Sequence, residues 1–274
     1  MSLFDGKKGL ILGVANANSI AWAIAEYVMG EGAACGFTHL PDRIDDARQR
    51  NRRRVAQLTD KASNAKFLEP LNVNDDQQIA EVMQTAADTF GKIDFLVHSI
   101  AHAPLEDIKC PTLKASRAGF LSAMEISAYS LIAVANAAEP IMNDGGSMIA
   151  MTYFGGEKAV PGYNLMGVCK ATLDAAMRYL AFDLGPRGIR VNAISAGPLR
   201  TLAGRGAGVD DMLGLYEKMS PLGRNITHEE VGQAAGFLLS DLSKSITGEI
   251  LHVDGGYNIM GSPGRLLDEY RSDG

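Results

Sequence analysis

The 274-residue sequence has little cysteine and no long uninterrupted apolar run. Its three cysteines, Cys35, Cys110 and Cys169, are scattered and follow neither a disulfide framework nor a zinc-binding spacing. No stretch approaches the roughly 18 consecutive apolar residues that indicate a membrane helix, and the first residues show no apolar export segment. We therefore expect a chain that does not enter a membrane and works in the reducing cytoplasm.

The sequence also has fewer basic than acidic residues: 26 lysines and arginines against 32 aspartates and glutamates, for a formal charge of −6. This balance argues against nucleic acid as the main partner. The arginines between positions 43 and 54 are interpreted mainly as the solvated face of a helix rather than a nucleic-acid patch. Since 46% of the residues are hydrophobic and no linker, repeat or low-complexity tract stands out, residues 1–274 are expected to form a single domain.

Short apolar runs alternate along the chain with helical segments and short loops. This pattern predicts an α/β fold with a doubly wound, seven-stranded parallel sheet of the Rossmann-like type. The predicted strands are 8–14, 33–39, 65–69, 92–98, 147–152, 188–195 and 249–254. The segment 115–138 is predicted to be one long helix, apolar around much of its circumference and therefore buried against a partner subunit. A capping box at Thr227 and Glu230 predicts the start of the last helix.

The first strand runs through Gly13 into a loop of small residues and then a helix, as in a phosphate-binding turn. The G-x-G-x-x-G pattern itself is absent, so this signal is weak alone. Ser19 is expected to cap the helix, to contact phosphate, or to do both. After the second strand, Asp42 and Arg43 leave the choice between NAD and a 2′-phosphate open. The loop 99–104 follows the fourth strand at the edge where such sheets bind ligands.

Tyr163 and Lys170 stand seven positions apart in a segment whose pattern predicts a helix through Leu184. Seven residues turn an α-helix through about 700°, which predicts that both side chains leave the same face. A phenol and an ammonium suit an acid and its electrostatic helper, although this octapeptide alone is more typical of ordinary residues on a surface helix. The Gly-rich stretch near 199–215 is predicted to be a mobile substrate lid, with an ordinary surface loop as the alternative.

These motifs together resemble the short-chain dehydrogenase/reductase superfamily and, more narrowly, its bacterial enoyl-[acyl-carrier-protein] reductases. The resemblance spans almost the whole chain. Most superfamily members that act on carbonyls or alcohols have tyrosine and lysine four apart and a serine thirteen positions before the tyrosine, whereas Gly167 and Ala150 stand at those places here. The matching pieces are 13–21, 98–100, 126–130, Tyr153, 163–170, 190–198, 200–203 and 252–256.

The resemblance implies NADH-dependent reduction of a trans-2-enoyl thioester carried by acyl carrier protein, with NADPH less favoured. It implies that hydride reaches C3 of the substrate, that Tyr163 donates a hydrogen bond to the thioester oxygen as an enolate forms, and that Lys170 holds the nicotinamide ribose. Tyr153 is expected either to shape the acyl pocket or to pack in the core. The implied substrate-binding residues are Ala101, Tyr153, Tyr163, Met166 and Leu202, with Leu199 beside them. The implied cofactor-binding residues are Gly13, Ala15, Ser19, Ile20, Asn72, Val73, Ser99, Ile100, Ala101, Lys170, Leu199 and Thr201.

Several positions depart from the family pattern. Leu40 stands where glutamine is frequent, Asn72 replaces an aspartate, and Ala101 with His102 replaces glycine and an aromatic residue. The predicted lid carries Asp210 and Asp211 instead of most of the basic residues that would meet an acidic carrier, which leaves Arg205 and Lys218.

The resemblance further implies a homotetramer formed through the 115–138 and 163–184 helices. Two other functions stay open: a ketone or alcohol dehydrogenase of the same superfamily, and a catalytically silent NAD(P)-binding regulator.

Overall fold

The computed structural model describes residues 2–201 and 209–267, and within these ranges seven strands form a single parallel sheet. The strands are β1 Lys8–Leu12, β2 Ala34–His39, β3 Ala65–Pro70, β4 Ile93–His98, β5 Met142–Thr152, β6 Arg190–Ala196 and β7 Ile250–Val253. The order across the sheet is β3-β2-β1-β4-β5-β6-β7, and every neighbouring pair is parallel. The predicted doubly wound sheet is therefore confirmed.

Helices cover both faces of the sheet, and each face has its own apolar core. The helices are α1 Ile20–Gly30, α2 Arg50–Thr59, α3 Asp76–Phe90, α4 Leu105–Lys109, α5 Arg117–Met124, α6 Ser130–Ala138, α7 Leu165–Leu184, α8 Val209–Met219 and α9 His228–Leu239. Apolar residues of α3, α6 and α7 pack on one face, and those of α1, α2 and α9 pack on the other. Both faces of the strands are buried in this way, which explains their continuous apolar runs.

The expected single helix over 115–138 is interrupted. A π-helical turn at Glu125–Tyr129 separates α5 from α6. The whole stretch Arg117–Ile141 is long and apolar enough to cross a membrane by length and composition, which our reading of the sequence did not anticipate. Half of its most apolar window is buried inside the chain, as in a core helix. Wider turns of this kind occur often at functional sites.

The predicted capping box is confirmed at the start of α9. The Thr227 hydroxyl accepts a bond from the Glu230 amide at 3.2 Å, and the Glu230 carboxylate accepts one from the Thr227 amide at 2.8 Å. The predicted lid is only partly visible: residues 202–208 lie outside the described residues, and the part from position 209 belongs to α8. The lid itself stays a prediction.

Candidate active site

The loops that follow β1 and β4 meet at the carboxyl edge of the sheet. Gly13 has a positive φ of 97°, and a Cβ atom there would lie 2.0 Å from the carbonyl oxygen of Ser99. Only glycine fits this approach, since any side chain would push the two loops apart. Gly13 and Ser99, both predicted to bind cofactor, are thus neighbours.

Ser19 closes the first loop instead of capping α1. Its buried hydroxyl accepts bonds from the amides of Ala15 at 2.9 Å and Asn16 at 3.0 Å, and it makes no capping bond. The capping interpretation is therefore wrong. The amides of Trp22 and Ala23 donate to the Ser19 carbonyl at 3.0 and 3.2 Å, so the amides of Ile20 and Ala21 stand first at the helix N-terminus. A helix N-terminus of this kind suits a pyrophosphate.

The expected adenosine end of the site lies beyond β2 and β3. Val73 is buried, while the Asn72 side-chain oxygen accepts a bond from the Asn74 amide at 3.2 Å. The Asp42 carboxylate accepts bonds from the first amides of α2, Asn51 at 2.6 Å and Arg52 at 3.1 Å. Asp42 therefore has a structural role at this edge, which sequence alone did not assign.

Tyr163 lies just outside helix α7, contrary to our prediction. The helix begins at Leu165, and Asn164 has a φ of 43° and a ψ of −118°. The argument from helical periodicity therefore fails for Tyr163, because the chain turns sharply before the first helical residue. The Asn164 side chain secures this turn by donating to the carbonyl of Ile108 at 2.8 Å.

Lys170 is a buried ammonium on the inner face of α7. Its Nζ donates one hydrogen bond to the carbonyl of Met151 at 2.7 Å. An ammonium has two further donors. Burial lowers the pKa of Lys170 to about 8, and the nearby Asp174 carboxylate opposes this shift. Lys170 therefore stays largely charged at neutral pH and loses its charge as the pH rises through about 8.

The Tyr163 phenol packs against a second tyrosine. The rings of Tyr153 and Tyr163 meet edge to face with centroids 4.6 Å apart. Burial raises the pKa of Tyr163, and the neighbouring Tyr153, Cys169 and Asp174 raise it further. Tyr163 is consequently a protonated hydrogen-bond donor throughout the physiological range. Tyr163 and Lys170 share Cys169 and Asp174 as electrostatic neighbours.

Comparison with known proteins identifies the family of this chain. A family model described as enoyl-(acyl carrier protein) reductase matches residues 13–258. The NADH-dependent enoyl-[acyl-carrier-protein] reductase of Nostoc sp. is 47% identical over 257 residues, which are 93% of this chain and 98% of that protein. The corresponding Bacillus cereus enzyme is 44% identical and covers 95% of this chain and 100% of its own. The chain belongs to the enoyl-[acyl-carrier-protein] reductase family.

Solved structures of the family match the fold closely. The reductase of Anaplasma phagocytophilum in complex with NAD has a TM-score of 0.89 at 43% identity, covering 95% of this chain and 97% of that one. The Bacillus cereus reductase with NADP⁺ and an indole naphthyridinone has a TM-score of 0.90 at 44% identity, covering 96% and 100%. Both kinds of nicotinamide cofactor are therefore seen in relatives of this chain.

The loop expected to face nicotinamide in this reductase is held by Ser127 of the π turn, and the strand before it by Ser130 at the start of α6. The buried Ser127 hydroxyl accepts a bond from the His102 amide at 2.9 Å and donates one to the His102 carbonyl at 2.7 Å. Beside it, Ser130 donates to the Ile126 carbonyl at 2.6 Å and contacts His98 Nε2 at 2.8 Å. The 126–130 motif contributed to the family resemblance, but the sequence assigned these serines no role.

His98 is neutral in this arrangement. Because the Ser130 hydroxyl donates to a carbonyl, it accepts the proton of His98 Nε2. Burial, and then the charge of Lys170, lower the pKa of His98 to about 3. His98 therefore anchors the end of β4 to the π turn without adding charge to the site.

The remaining predicted site residues divide into two groups. Met166 belongs to a small buried cluster beside Tyr163, and Leu199 is buried in one of the two main cores. Ala101 is exposed at the loop, and Ile100 and Thr201 are partly exposed. Leu202 lies outside the described residues. The interior positions are thus as much parts of the core as of a binding surface.

Two residues near the site were missed by sequence reasoning. Asp174, one helical turn after Lys170, is buried, and burial raises the pKa of its carboxyl. Tyr216 on α8 places its hydroxyl 2.8 Å from that of Tyr153. The four-residue spacing from Lys170 was a usable signal for Asp174. No local spacing links Tyr216 to Tyr153.

Proposed function

We propose that this reductase uses Tyr163 and Lys170 to reduce trans-2-enoyl thioesters of acyl carrier protein with NADH. The observation that carries the proposal is a protonated, half-buried phenol and a buried, charged ammonium at the carboxyl edge of the sheet. Their charge states are those that enolate stabilisation requires. The overall reaction is that of the family, and the residue roles are the new content of the proposal.

The described residues fit a dinucleotide. The close approach of Gly13 to Ser99 leaves no room for a Cβ, and the N-terminus of α1 would hold the pyrophosphate. Lys170 retains donors for ribose hydroxyls after bonding Met151. When bound, NADH supplies the hydride for C3 of the substrate. The proposed cofactor-binding set is Gly13, Ala15, Ser19, Ile20, Asn72, Val73, Ser99, Ile100, Ala101, Lys170, Leu199 and Thr201.

The protein residues act on the opposite end of the conjugated system. As hydride reaches C3, negative charge moves to the thioester oxygen, and Tyr163 donates a hydrogen bond to that oxygen. Such a preorganised donor in a dry site lowers the transition-state energy because it needs no reorganisation. The positive charge of Lys170 supports the same developing anion. Substrate contacts are assigned to Ala101, Tyr153, Tyr163, Met166 and Leu202.

The packing opposes the ketone or alcohol dehydrogenase alternative. A Cβ on Gly167 would lie 2.7 Å from the carbonyl oxygen of Gly155, so a lysine four residues after Tyr163 does not fit. Ala150, where such enzymes carry serine, is fully buried in β5. The silent regulator is disfavoured by the presence of both Tyr163 and Lys170.

The outer helix surfaces support assembly into a homotetramer. Large apolar side chains are exposed along the α5–α6 and α7 helices, the two predicted to meet partner subunits. Burying such surface stabilises oligomers. We place the assembly in the cytoplasm, with residues 199–215 as the substrate lid. The exposed residues are Leu121, Tyr129, Ile132, Val168, Tyr179 and Phe182.

Substitutions at the two central residues test the proposal. Tyr163→Phe should lower kcat for a crotonyl thioester by about 100-fold, in line with loss of an oxyanion donor, while NADH affinity changes little. Lys170→Ala should weaken NADH binding, measured by fluorescence titration. Unchanged NADH affinity in the lysine variant, or full turnover in the tyrosine variant, would refute the assigned roles. The partly exposed Tyr27→Phe on α1 is the matched control.

A further inference from the structure

Tyr216 connects helix α8 to the active site through Tyr153. The two hydroxyl oxygens are 2.8 Å apart. Both side chains are buried, with Tyr153 at 9% and Tyr216 at 4% exposure. A buried hydroxyl pair of this kind is expensive to break, since each partner would lose its hydrogen bond away from water.

Stacking fixes the position of the Tyr216 ring. It lies parallel to the ring of Tyr257, with centroids 3.8 Å apart and planes 13° apart. Tyr257 in turn meets Phe154 edge to face at 5.8 Å, and Phe154 directly follows Tyr153. These four residues, Tyr153, Phe154, Tyr216 and Tyr257, form a closed aromatic cluster. It joins the segments after β5 and β7 to α8.

Both hydroxyls of the pair stay protonated at neutral pH. Burial raises the pKa of Tyr216 and raises the pKa of Tyr153 to about 12. Each hydroxyl can donate or accept, and the 2.8 Å contact places one proton between the two oxygens. The second proton of the pair is then available to another group.

We propose that Tyr216 is a positioning residue, whose hydrogen bond to Tyr153 holds the Tyr153 ring and hydroxyl against Tyr163 and toward the substrate. The inference rests on the proposed function, because it takes Tyr153 to face the acyl thioester. Tyr153 then acts with Tyr163 at the substrate, and the placement of α8 is coupled to the orientation of both rings. Tyr216 itself need not touch the substrate.

A double-mutant cycle tests the inference. Tyr216→Phe keeps the ring stacked on Tyr257 and removes only the hydroxyl, so the protein should fold. We expect kcat with a crotonyl thioester to fall about fivefold, the equivalent of one hydrogen bond worth about 1 kcal/mol, with an unchanged KM for NADH. In a Tyr153→Phe background, the same Tyr216 substitution should have no further effect on kcat, because the partner hydroxyl is gone.

Equal effects of Tyr216→Phe with and without Tyr153 would overturn the inference, as would an unchanged kcat in the single variant. Tyr27→Phe on α1 is the control for loss of a tyrosine hydroxyl elsewhere, and it should leave kcat unchanged. If the wild-type protein fails to reduce the crotonyl thioester, the proposed function fails instead. In that case the free energy of unfolding in urea is measured for the wild type, the two single variants and the double variant. Additive losses of stability would overturn the hydrogen bond between Tyr153 and Tyr216, and non-additive losses would support it.

Discussion

At the scale of single residues, burial sets the chemistry of the site. Lys170 is charged near neutral pH because Asp174 opposes the effect of burial on its pKa, and Tyr163 is protonated because burial raises its pKa. One buried helix face therefore provides a cation, while the turn before it provides a neutral donor. Both are the forms in which an anionic enolate is stabilised.

The alkaline limb of the pH profile should report Lys170. The pKa of Lys170 is lowered to about 8, so its charge is present below that pH and is lost above it. We expect kcat/KM for the enoyl thioester to fall as pH rises through about 8. Asp174→Asn removes the carboxylate that raises the pKa of Lys170, and it should move this limb to lower pH. If the alkaline limb stays at the same pH in Asp174→Asn, the limb reports a group other than Lys170.

The sequence predicted the identities of the central residues better than their geometry. The seven-residue spacing singled out Tyr163 and Lys170, yet the supposed shared helix face is wrong because α7 starts only at Leu165. Ser19 shows the same limit: its place before α1 suggested a cap, whereas its hydroxyl bonds the Ala15 amide. Local periodicity does not reveal a turn set by a contact such as that of Asn164 with Ile108.

At the scale of elements, the π turn between α5 and α6 organises the loop after β4. Alternating strands and helices were predictable because their apolar patterns are local. The π turn was not, since it depends on Ser127 and Ser130 reaching backbone and His98 groups on another element. The same holds for the contact of Tyr216 with Tyr153, which are 63 positions apart.

The two hydrogen bonds between Ser127 and His102 should contribute measurably to stability and to cofactor binding. Ser127→Ala removes both bonds to His102 and leaves its partly buried amide and carbonyl without these partners. We expect a loss of about 1–3 kcal/mol in the free energy of unfolding and a raised KM for NADH, because the loop 99–104 loosens. The half-exposed Ser122 on α5 supplies the control, and Ser122→Ala should alter neither value. An unchanged KM for NADH in Ser127→Ala would show that these two hydrogen bonds do not affect cofactor binding.

At the scale of the whole molecule, one sheet brings the residues proposed to bind both ligands to a single edge. The sheet order places β1 beside β4, and β4 beside β5, so the loops carrying Gly13, Ser99 and Tyr153 adjoin one another. This arrangement follows from the doubly wound topology, in which ligands bind at the carboxyl ends of the strands. The alternating strands and helices of the sequence were sufficient to predict this type of sheet, and with it the edge at which ligands are expected.

The predicted assembly can be checked by light scattering. The exposed apolar residues of α5–α6 and α7 should be covered by partner subunits, giving about four times the 29.2 kDa of the chain. Ile132→Glu places a charge within this surface and should lower the mass, since burying an unpaired charge is costly. A monomeric wild-type protein would contradict the homotetramer.

The central claim is that Tyr163 and Lys170 support hydride addition to C3 of an enoyl thioester. It is tested most directly by reducing a crotonyl thioester with NADH that carries deuterium at the transferred position, and locating the label by NMR. The account predicts deuterium at C3, a solvent-derived hydrogen at C2, and no reduction of an acetoacetyl thioester under the same conditions. Absence of label from C3, or faster reduction of the acetoacetyl carbonyl, would contradict it.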